Sequence, residues 1–406
     1  MTDRAVSQGF AARLRAQLPA AGILASVLAV AACAPQTKAP IATPPPPTEA
    51  PAPEKPAEVV NRIAVLVPLS GTSAPVGVSL ANAASLALVD TRKQGIRISS
   101  YDTAALGARE AARRAIADGA GLILGPLLAQ DAQAIKTEAG AKGITILSFS
   151  NDSGIAGGNL YVLGFQPAQS VSRVVEYASS LGMQKFAGLM PDGIYGQRAS
   201  VAFTRAVAAS GGQVVALSNF ERKGSALPAA ARKVAGGTVA ALSGTEPREA
   251  RFDALLVADS GAVAAAFSPQ LTKFGAPAGS YLMLGTELWA TEPGLGKSAA
   301  LKGAVFASVP NTRFQGMASR YRARFGGTPS RLASLSYDSV LLAASVAGER
   351  WKPGTMFPKA VLEDPQGFAG IDGIFRFRDN IADRGLAVQQ VTPEGFQTVS
   401  PAPSHF

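Results

Sequence analysis

Histidine is almost missing from this 406-residue chain. The one that occurs, His405, is the penultimate residue. That removes Ser-His-Asp and Cys-His catalysis and any histidine-based metal site. Cysteine is as scarce: Cys33 stands alone and has no disulfide partner within the chain. No G-x-S-x-G segment occurs. The stretch Gly294-Leu-Gly-Lys-Ser-Ala299 looks briefly like a nucleotide loop, but a Walker A loop needs glycine where Thr291 stands. A dinucleotide loop would directly follow a buried strand, and Glu292-Pro293 precedes this one instead. Neither a cofactor nor a metal is expected. Blocks of Lys or Arg are also lacking. The 38 basic and 28 acidic residues leave a net charge of +10, dispersed along the chain. That reads first as a basic soluble surface, second as weak attraction to anionic polymer or membrane, and not as a nucleic-acid partner.

What is present is an apolar share of 47% with 42 glycines, enough for a substantial core and close helix–sheet packing over two ordinary domains. Residues 1–32 read as a targeting segment. Arg4, Arg13 and Arg15 give a charged start, and residues 20–32 form an apolar stretch too short to span a membrane. The stretch ends in Val30-Ala31-Ala32-Cys33. Residues 33–60 form a linker. It is mostly Pro, Ala, Thr and Glu, includes Pro44-Pro-Pro-Pro47, and has almost no large apolar side chain to bury. An extended, polyproline-like spacer is expected, with a ligand for a partner's aromatic groove as the alternative.

Folded protein begins at Arg62-Ile-Ala-Val-Leu-Val-Pro68. Residues 63–67 read as a strand buried on both faces, and Pro68 stops it. Ser70, Gly71, Thr72 and Ser73 make a small polar loop. After Gly77, Leu80, Ala84, Leu86, Leu88 and Val89 recur at helical spacing. Strand, turn and helix then alternate four times in about a hundred residues, which argues for a parallel, doubly wound sheet. After a crossover at residues 161–165 a second α/β series follows, and residues 370–398 read as strands and a hairpin. The expected architecture is two parallel-sheet α/β lobes joined by several crossings. Residues 61–165 and 293–370 form lobe 1, residues 166–292 and 371–399 form lobe 2, and residues 400–406 are a tail.

This layout resembles the type 1 periplasmic-binding-protein family, which includes the leucine, isoleucine and valine receptors. Gly125-Pro126-Leu127-Leu128, Tyr195-Gly196 and Tyr337-Asp338 stand where that family has similar residues. The end, Gly373-Ile-Phe-Arg-Phe-Arg with Arg384-Gly-Leu-Ala-Val-Gln-Gln-Val391, resembles more closely the carboxyl-terminal domain of penicillin-binding-protein activator lipoproteins. Val30-Ala31-Ala32-Cys33 resembles a lipobox, which implies cleavage before Cys33 and its lipidation. Ala34 after the cysteine implies, by enterobacterial sorting rules, an outer-membrane anchor facing the periplasm.

Ligands of open α/β sheets bind where strands end. The loops after apparent strands supply the cleft candidates: Ser70 and Thr72; Ser148, Ser150, Asn151 and Asp152; Tyr195; Asp259 and Ser260; Glu287 and Trp289. Hydroxyls and loop amides suit a small polar or anionic group, and Tyr195 and Trp289 suit an apolar or sugar face. For Trp289 core packing is the equal alternative, and for each Asp a cap or turn role. No spacing marks a pair of carboxylates for acid/base work, so no catalytic residue is assigned. The resemblance to the amino-acid receptors implies a Ser-rich loop after Gly-Pro-Leu-Leu and a Thr in the next loop holding the ligand's carboxylate and ammonium. Ala129-Gln130-Asp131 and Ser148-Phe-Ser-Asn-Asp152 stand there instead. An aspartate facing a carboxylate repels it, so free amino acids are not expected to bind. The first functional expectation is a non-catalytic lipoprotein that binds and activates a peptidoglycan synthase. The alternative is a solute receptor of an ABC transporter for amino acids or another small polar ligand, and a cell-wall hydrolase comes third.

Overall fold

A computed structural model describes residues 59–236 and 251–406. The targeting segment, Cys33 and nearly all of the Pro-rich linker lie outside the described residues. Residues 57–406 form one unit.

Strand β1 (Asn61–Val67) opens the first lobe, with residues 63–67 at 1% exposure or less. Its side chains alternate between two cores. Ile63, Val65 and Val67 pack with helix α1 (Ala74–Thr91), and Ala64 and Leu66 pack on the opposite face. A strand apolar at every position needs both covers. β2 (Ile96–Asp102), α2 (Thr103–Leu106), α3 (Ala108–Ala117), β3 (Leu122–Leu124), α4 (Ala129–Ala141), β4 (Thr145–Ser148) and β5 (Leu160–Val162) follow. Helices α3 and α4 supply the second cover through Ala111, Ala112, Ala132 and Ile135.

The second lobe runs through α5 (Pro167–Ser180), β6 (Lys185–Pro191), α6 (Ile194–Ala209), β7 (Gln213–Phe220), α7 (Leu227–Ala235), β8 (Ala254–Val257), α8 (Gly261–Lys273), β9 (Leu282–Gly285) and β10 (Val305–Ser308). The chain returns to the first lobe for α9 (Thr312–Phe325), α10 (Ala333–Val346), β11 (Phe368–Gly370), β12 (Gly373–Arg378) and β13 (Ile381–Arg384). It ends in the second lobe with β14 (Ala387–Thr392) and β15 (Gly395–Ser400).

The first sheet has the order β11-β12-β13-β5-β4-β3-β1-β2, and the second β15-β14-β10-β9-β8-β6-β7. The two lobes repeat one plan: β2-β1-β3-β4-β5 in one matches β7-β6-β8-β9-β10 in the other, and a later strand is added beside each, β13 parallel to β5 and β14 antiparallel to β10. The repeat extends to a backbone detail. Pro68 directly follows β1 and Pro191 ends β6, and in each lobe the following helix closes onto that proline's carbonyl. A Cβ on Gly77 would lie 1.8 Å from the Pro68 oxygen, and one on Gly196 would lie 1.7 Å from the Pro191 oxygen. Only glycine permits this approach. Gly196→Ala is therefore expected to cost about 3 kcal/mol or more, the upper range for overpacking. Gly316→Ala, on α9 with only the end of Arg320 near its Cβ at 3.8 Å, is expected to stabilise by up to about 1 kcal/mol. Denaturant midpoints of the two variants test this contrast.

Sheet pairing moves two of the expected lobe boundaries. Residues 293–308 are expected in lobe 1, yet β10 lies in the second sheet, parallel to β9 and antiparallel to β14. Residues 371–384 are expected in lobe 2, yet β12 and β13 form a hairpin that docks along β5 in the first sheet. The hairpin turns at Asp379 and Asn380, both at positive φ (51° and 61°), as a two-residue hairpin turn demands. Among the described residues the chain crosses between lobes three times, at 163–166, 309–311 and 385–386. Side chains tie the crossings together: Gln169 Nε2 donates to the Ala382 carbonyl at 2.6 Å, and Arg173 Nε donates to the Leu386 carbonyl at 3.1 Å.

Candidate functional site

The carboxyl ends of the strands of both lobes face a cleft of about 680 Å³. That is the size of a typical small-molecule site. Lobe 1 contributes Leu127 and Leu128 after β3, residues 149–151 after β4, Phe314 of α9 and residues 328–332 ahead of α10. Lobe 2 contributes Glu287, Leu288 and Thr291 after β9, with Phe396 of β15. The crossings add Phe165, Gln166, Val309, Asn311, Arg384 and Leu386, and the start of α5 adds Gln169 and Ser170. Polar and apolar residues line the cleft in similar numbers, but most of the surface they expose to it is apolar. Among the described residues three charged side chains line it: Glu287 on lobe 2, and Arg331 and Arg384 on lobe 1.

Glu287 is held from two directions. Ser170 donates to its Oε2, and the Tyr195 hydroxyl donates to Oε1 at 3.1 Å. That hydroxyl also lies 3.0 Å from the hydroxyl of Thr286. Burial pushes the Glu287 carboxyl above its ordinary pKa, and the bonds from Ser170 and Tyr195 work against the rise.

The arginines belong to a buried cluster of four ionisable groups. Arg331 Nη2 donates to Asp372 Oδ1 at 2.8 Å, its Nη1 donates to the Ser334 hydroxyl at 2.8 Å, and its guanidinium lies 4.2 Å from the Phe314 ring centre. Arg384 is 6% exposed. Its Nη2 donates to the Leu163 carbonyl at 2.9 Å, while Nε and Nη1 have no hydrogen-bond partner among the described residues. The rings of Phe165 and Phe375 lie 5.1 Å from its guanidinium. Asp338 accepts from the backbone N–H of Ile371 at 2.7 Å and of Asp372 at 3.3 Å. Burial, with the like charge of Asp372 adding, pushes the Asp338 carboxyl up to about 7.

The expected site residues divide. Ser150, Asn151 and Glu287 line the cleft. Asp152 and Tyr195 line a smaller side pocket with Arg198. Ser148 lies beneath, its hydroxyl donating to the Pro126 carbonyl at 3.0 Å and accepting from Ser150 N–H at 3.2 Å. Ser70 and Thr72 are exposed at the end of β1, away from the residues lining the cleft. Asp259 is buried against Arg222 at 2.7 Å, and Ser260 caps α8 by accepting from Val263 N–H at 3.3 Å. Trp289 is fully buried in the lobe 2 core, its Nε1 donating to the Asp259 carbonyl at 2.9 Å, so it covers no ligand face. Asp152 lies in the side pocket and not among the residues lining the main cleft, and it is paired with Arg198. Burial alone would raise its pKa, but Arg198 of the other lobe and the Gly154 N–H hold it below the ordinary value. An aspartate so neutralised does not bar a carboxylate from the main cleft.

The profile of one family, described as periplasmic binding protein, matches residues 61–395. The chain belongs to the periplasmic binding protein family. Solved structures share its fold. A Rhodospirillum rubrum protein assigned to branched-chain amino acid ABC transport superposes with a TM-score of 0.72 at 19% identity, over 84% of this chain and 100% of that one. A solute-binding protein of an ABC transporter from Rhodopseudomonas palustris BisB5, in complex with 3,4-dihydroxybenzoic acid, gives 0.61 at 19% identity over 86% and 98%. The branched-chain amino acid transporter substrate-binding protein LivJ from Streptococcus pneumoniae, in complex with isoleucine, gives 0.58 at 20% identity over 84% and 100%. A curated relative, the uncharacterized protein RP748 of Rickettsia prowazekii, is 32% identical over 143 residues. That match covers 34% of this periplasmic binding protein and 37% of the relative, so the chain spans just over a third of that relative's length.

Sequence reasoning missed Arg331, Arg384 and the phenylalanines of the cleft in this binding protein. A signal for Arg384 existed. It shares strand parity with the fully buried Ala382, so an arginine stands at a position that faces inward.

Proposed function

We propose that this protein is a solute receptor that encloses a small molecule with an apolar body between its two lobes. The observation that carries this reading is the cleft itself, walled by both lobes and mostly apolar, with three charged groups placed in it. The ligands in the two solved complexes, an aromatic acid and isoleucine, have that character. Three crossings allow the lobes to close on a ligand, which selects the closed state by its differential affinity. Delivery to an ABC transporter is the corresponding role, as the names of the structural relatives suggest. Activation of a peptidoglycan synthase has less support. The segments carrying that resemblance are β12, β13, β14 and the third crossing, whose pattern the fold itself accounts for. The chemistry proposed is binding without turnover.

A melting-temperature screen of the purified protein against a metabolite library tests the receptor reading. A ligand present at a hundredfold excess over its dissociation constant stabilises by about 2.7 kcal/mol. The reading fails if no solute of any charge type shifts the transition at millimolar concentration.

We also propose a periplasmic location with a lipid anchor on Cys33, because a lone cysteine ends the short apolar segment and a Pro-rich spacer follows. Several acyl chains anchor firmly where a single one does not. Cys33→Ser is expected to move the protein from the membrane fraction to the soluble periplasmic fraction. A serine variant that still sediments with membrane would contradict the anchor.

A further inference from the structure

Among the described residues, Arg384 is the cleft arginine with no hydrogen-bonded carboxylate: its one acceptor is the Leu163 carbonyl, at 2.9 Å from Nη2. It is 6% exposed, and two of its three guanidinium nitrogens lack a hydrogen-bond partner among the described residues. A buried polar group in that state needs an explanation, and a buried cation more so. Guanidinium does not escape by losing its proton at neutral pH. The neighbouring groups do not fully answer it. Asp372 gives one carboxylate oxygen to Arg331 at 2.8 Å, and its other oxygen makes no hydrogen bond among the described residues. Asp338 is turned to the backbone N–H groups of Ile371 and Asp372. The rings of Phe165 and Phe375 offset only part of the cost of burial.

The loop after β4, where strand-edge recognition of an anion was expected, is committed in part, with the Ser150 hydroxyl keeping its own proton to donate. Ser148 donates to the Pro126 carbonyl, and the Ser150 hydroxyl accepts the N–H of Asp152 at 3.0 Å. The cleft's positive charge therefore sits on lobe 1 in Arg384 and Arg331, and its negative charge sits across from them on lobe 2 in Glu287.

We propose that Arg384, supported by Arg331, determines specificity by receiving the carboxylate of an apolar organic acid, whose body lies against Phe165 and Phe314. This rests on the receptor reading above. The planar fork of a guanidinium suits a carboxylate, and the bond is charge-assisted. Closure on the ligand would bring the acid group to the Arg384 nitrogens that lack a hydrogen-bond partner among the described residues.

The test uses matched pairs of equal shape on the purified protein by titration calorimetry: benzoate with benzamide, 3-phenylpropanoate with its amide, and 4-methylpentanoate with its amide. At least one acid is expected to bind at least tenfold more tightly than its amide. Arg384→Gln is expected to remove that preference while leaving weak amide binding in place. Amides that bind as well as the acids overturn the proposal, as does an Arg384→Gln variant that keeps the preference. If Arg384→Gln does not fold, Arg384→Lys, which keeps the charge and loses the planar fork, is the second variant and is expected to weaken acid binding at least tenfold more than amide binding; an Arg384→Lys variant that keeps the full preference overturns the proposal. Binding of neutral or cationic solutes alone sinks this inference and leaves the receptor reading standing. No binding by any solute sinks both.

Discussion

Asp372→Ala is expected to destabilise the protein by about 3–5 kcal/mol, the cost of breaking a buried ion pair from one side. Asp372 is fully buried, and Arg331, whose side chain is 9% exposed, donates to it. Removing the carboxylate leaves the guanidiniums of Arg331 and Arg384 in one apolar surround with Asp338 as the remaining acid. Asp338 is already turned to two backbone N–H groups. The effect also reaches the fold, because Asp372 lies between β11 and β12, the strands that seal one edge of the first sheet. Asp383→Ala is the control. Asp383 pairs with Arg376 at 3.2 Å but is 31% exposed, so its loss is expected to cost at most about 1 kcal/mol. Asp372→Asn, which keeps an acceptor and loses the charge, is expected to fall between them. Urea denaturation of the three variants orders them. An Asp372→Ala variant within 1 kcal/mol of the wild type by this measure would show that the cluster contributes no net stability.

Much of the frame could be read from one dimension, because local chemistry dictates it. Residues 63–67 are apolar at every position, so they had to be covered on both faces, and the fold covers them. Pro68 after β1, Pro191 at the end of β6 and the glycines that follow mark the same turn in each lobe. The two-lobed α/β class followed from this alternation. What could not be read was sheet membership at the crossings. β10 is four buried residues, Val305–Ser308, and such a strand looks the same in either sheet. Its place is set by pairing with β14, about 80 residues later. The candidate site shows the same division. Glu287, Ser150 and Asn151 were found because they follow strands. For Asp152 the sequence shows the loop but not its partner, because Arg198 comes from the other lobe. Trp289 lies beside the cleft-lining Leu288 and Ala290, yet its ring fills the core, and sequence proximity does not say which way a ring turns. Arg331 and Arg384 were missed because their meaning lies in Asp372 and the phenylalanine rings around them, which tertiary structure assembles.

Between about pH 4 and pH 7 the protein is expected to lose stability as the pH rises. The reason is Asp338. Its carboxyl has an ordinary value of 3.8 when exposed, and burial with the like charge of Asp372 pushes it up to about 7 in the folded chain. In that window the folded state holds a proton that the unfolded chain has given up. Unfolding then releases it, and the free energy of unfolding falls as pH rises. The linked change is on the order of several kcal/mol, since each pKa step is worth about 1.4 kcal/mol. Arg384 and the N–H groups of Ile371 and Asp372 work against the shift without cancelling it. Glu287, raised by burial, acts with the same sign. Asp102, Asp152 and Asp253 act with the opposite sign, because their partners hold them below 3.8. Their contribution is present above that value and is lost only as pH falls through their folded pKa values, so it does not mask the decline at higher pH. Stability should therefore peak in mildly acid solution. Asp338→Asn keeps an oxygen for the Ile371 N–H and cannot ionise. It is expected to flatten the decline between pH 5 and pH 8 while leaving the loss below pH 4 unchanged. Urea midpoints measured at half-unit pH steps for both proteins would show it. A wild-type midpoint that rises from pH 5 to pH 8, or a variant that declines just as steeply, would refute the assignment to Asp338.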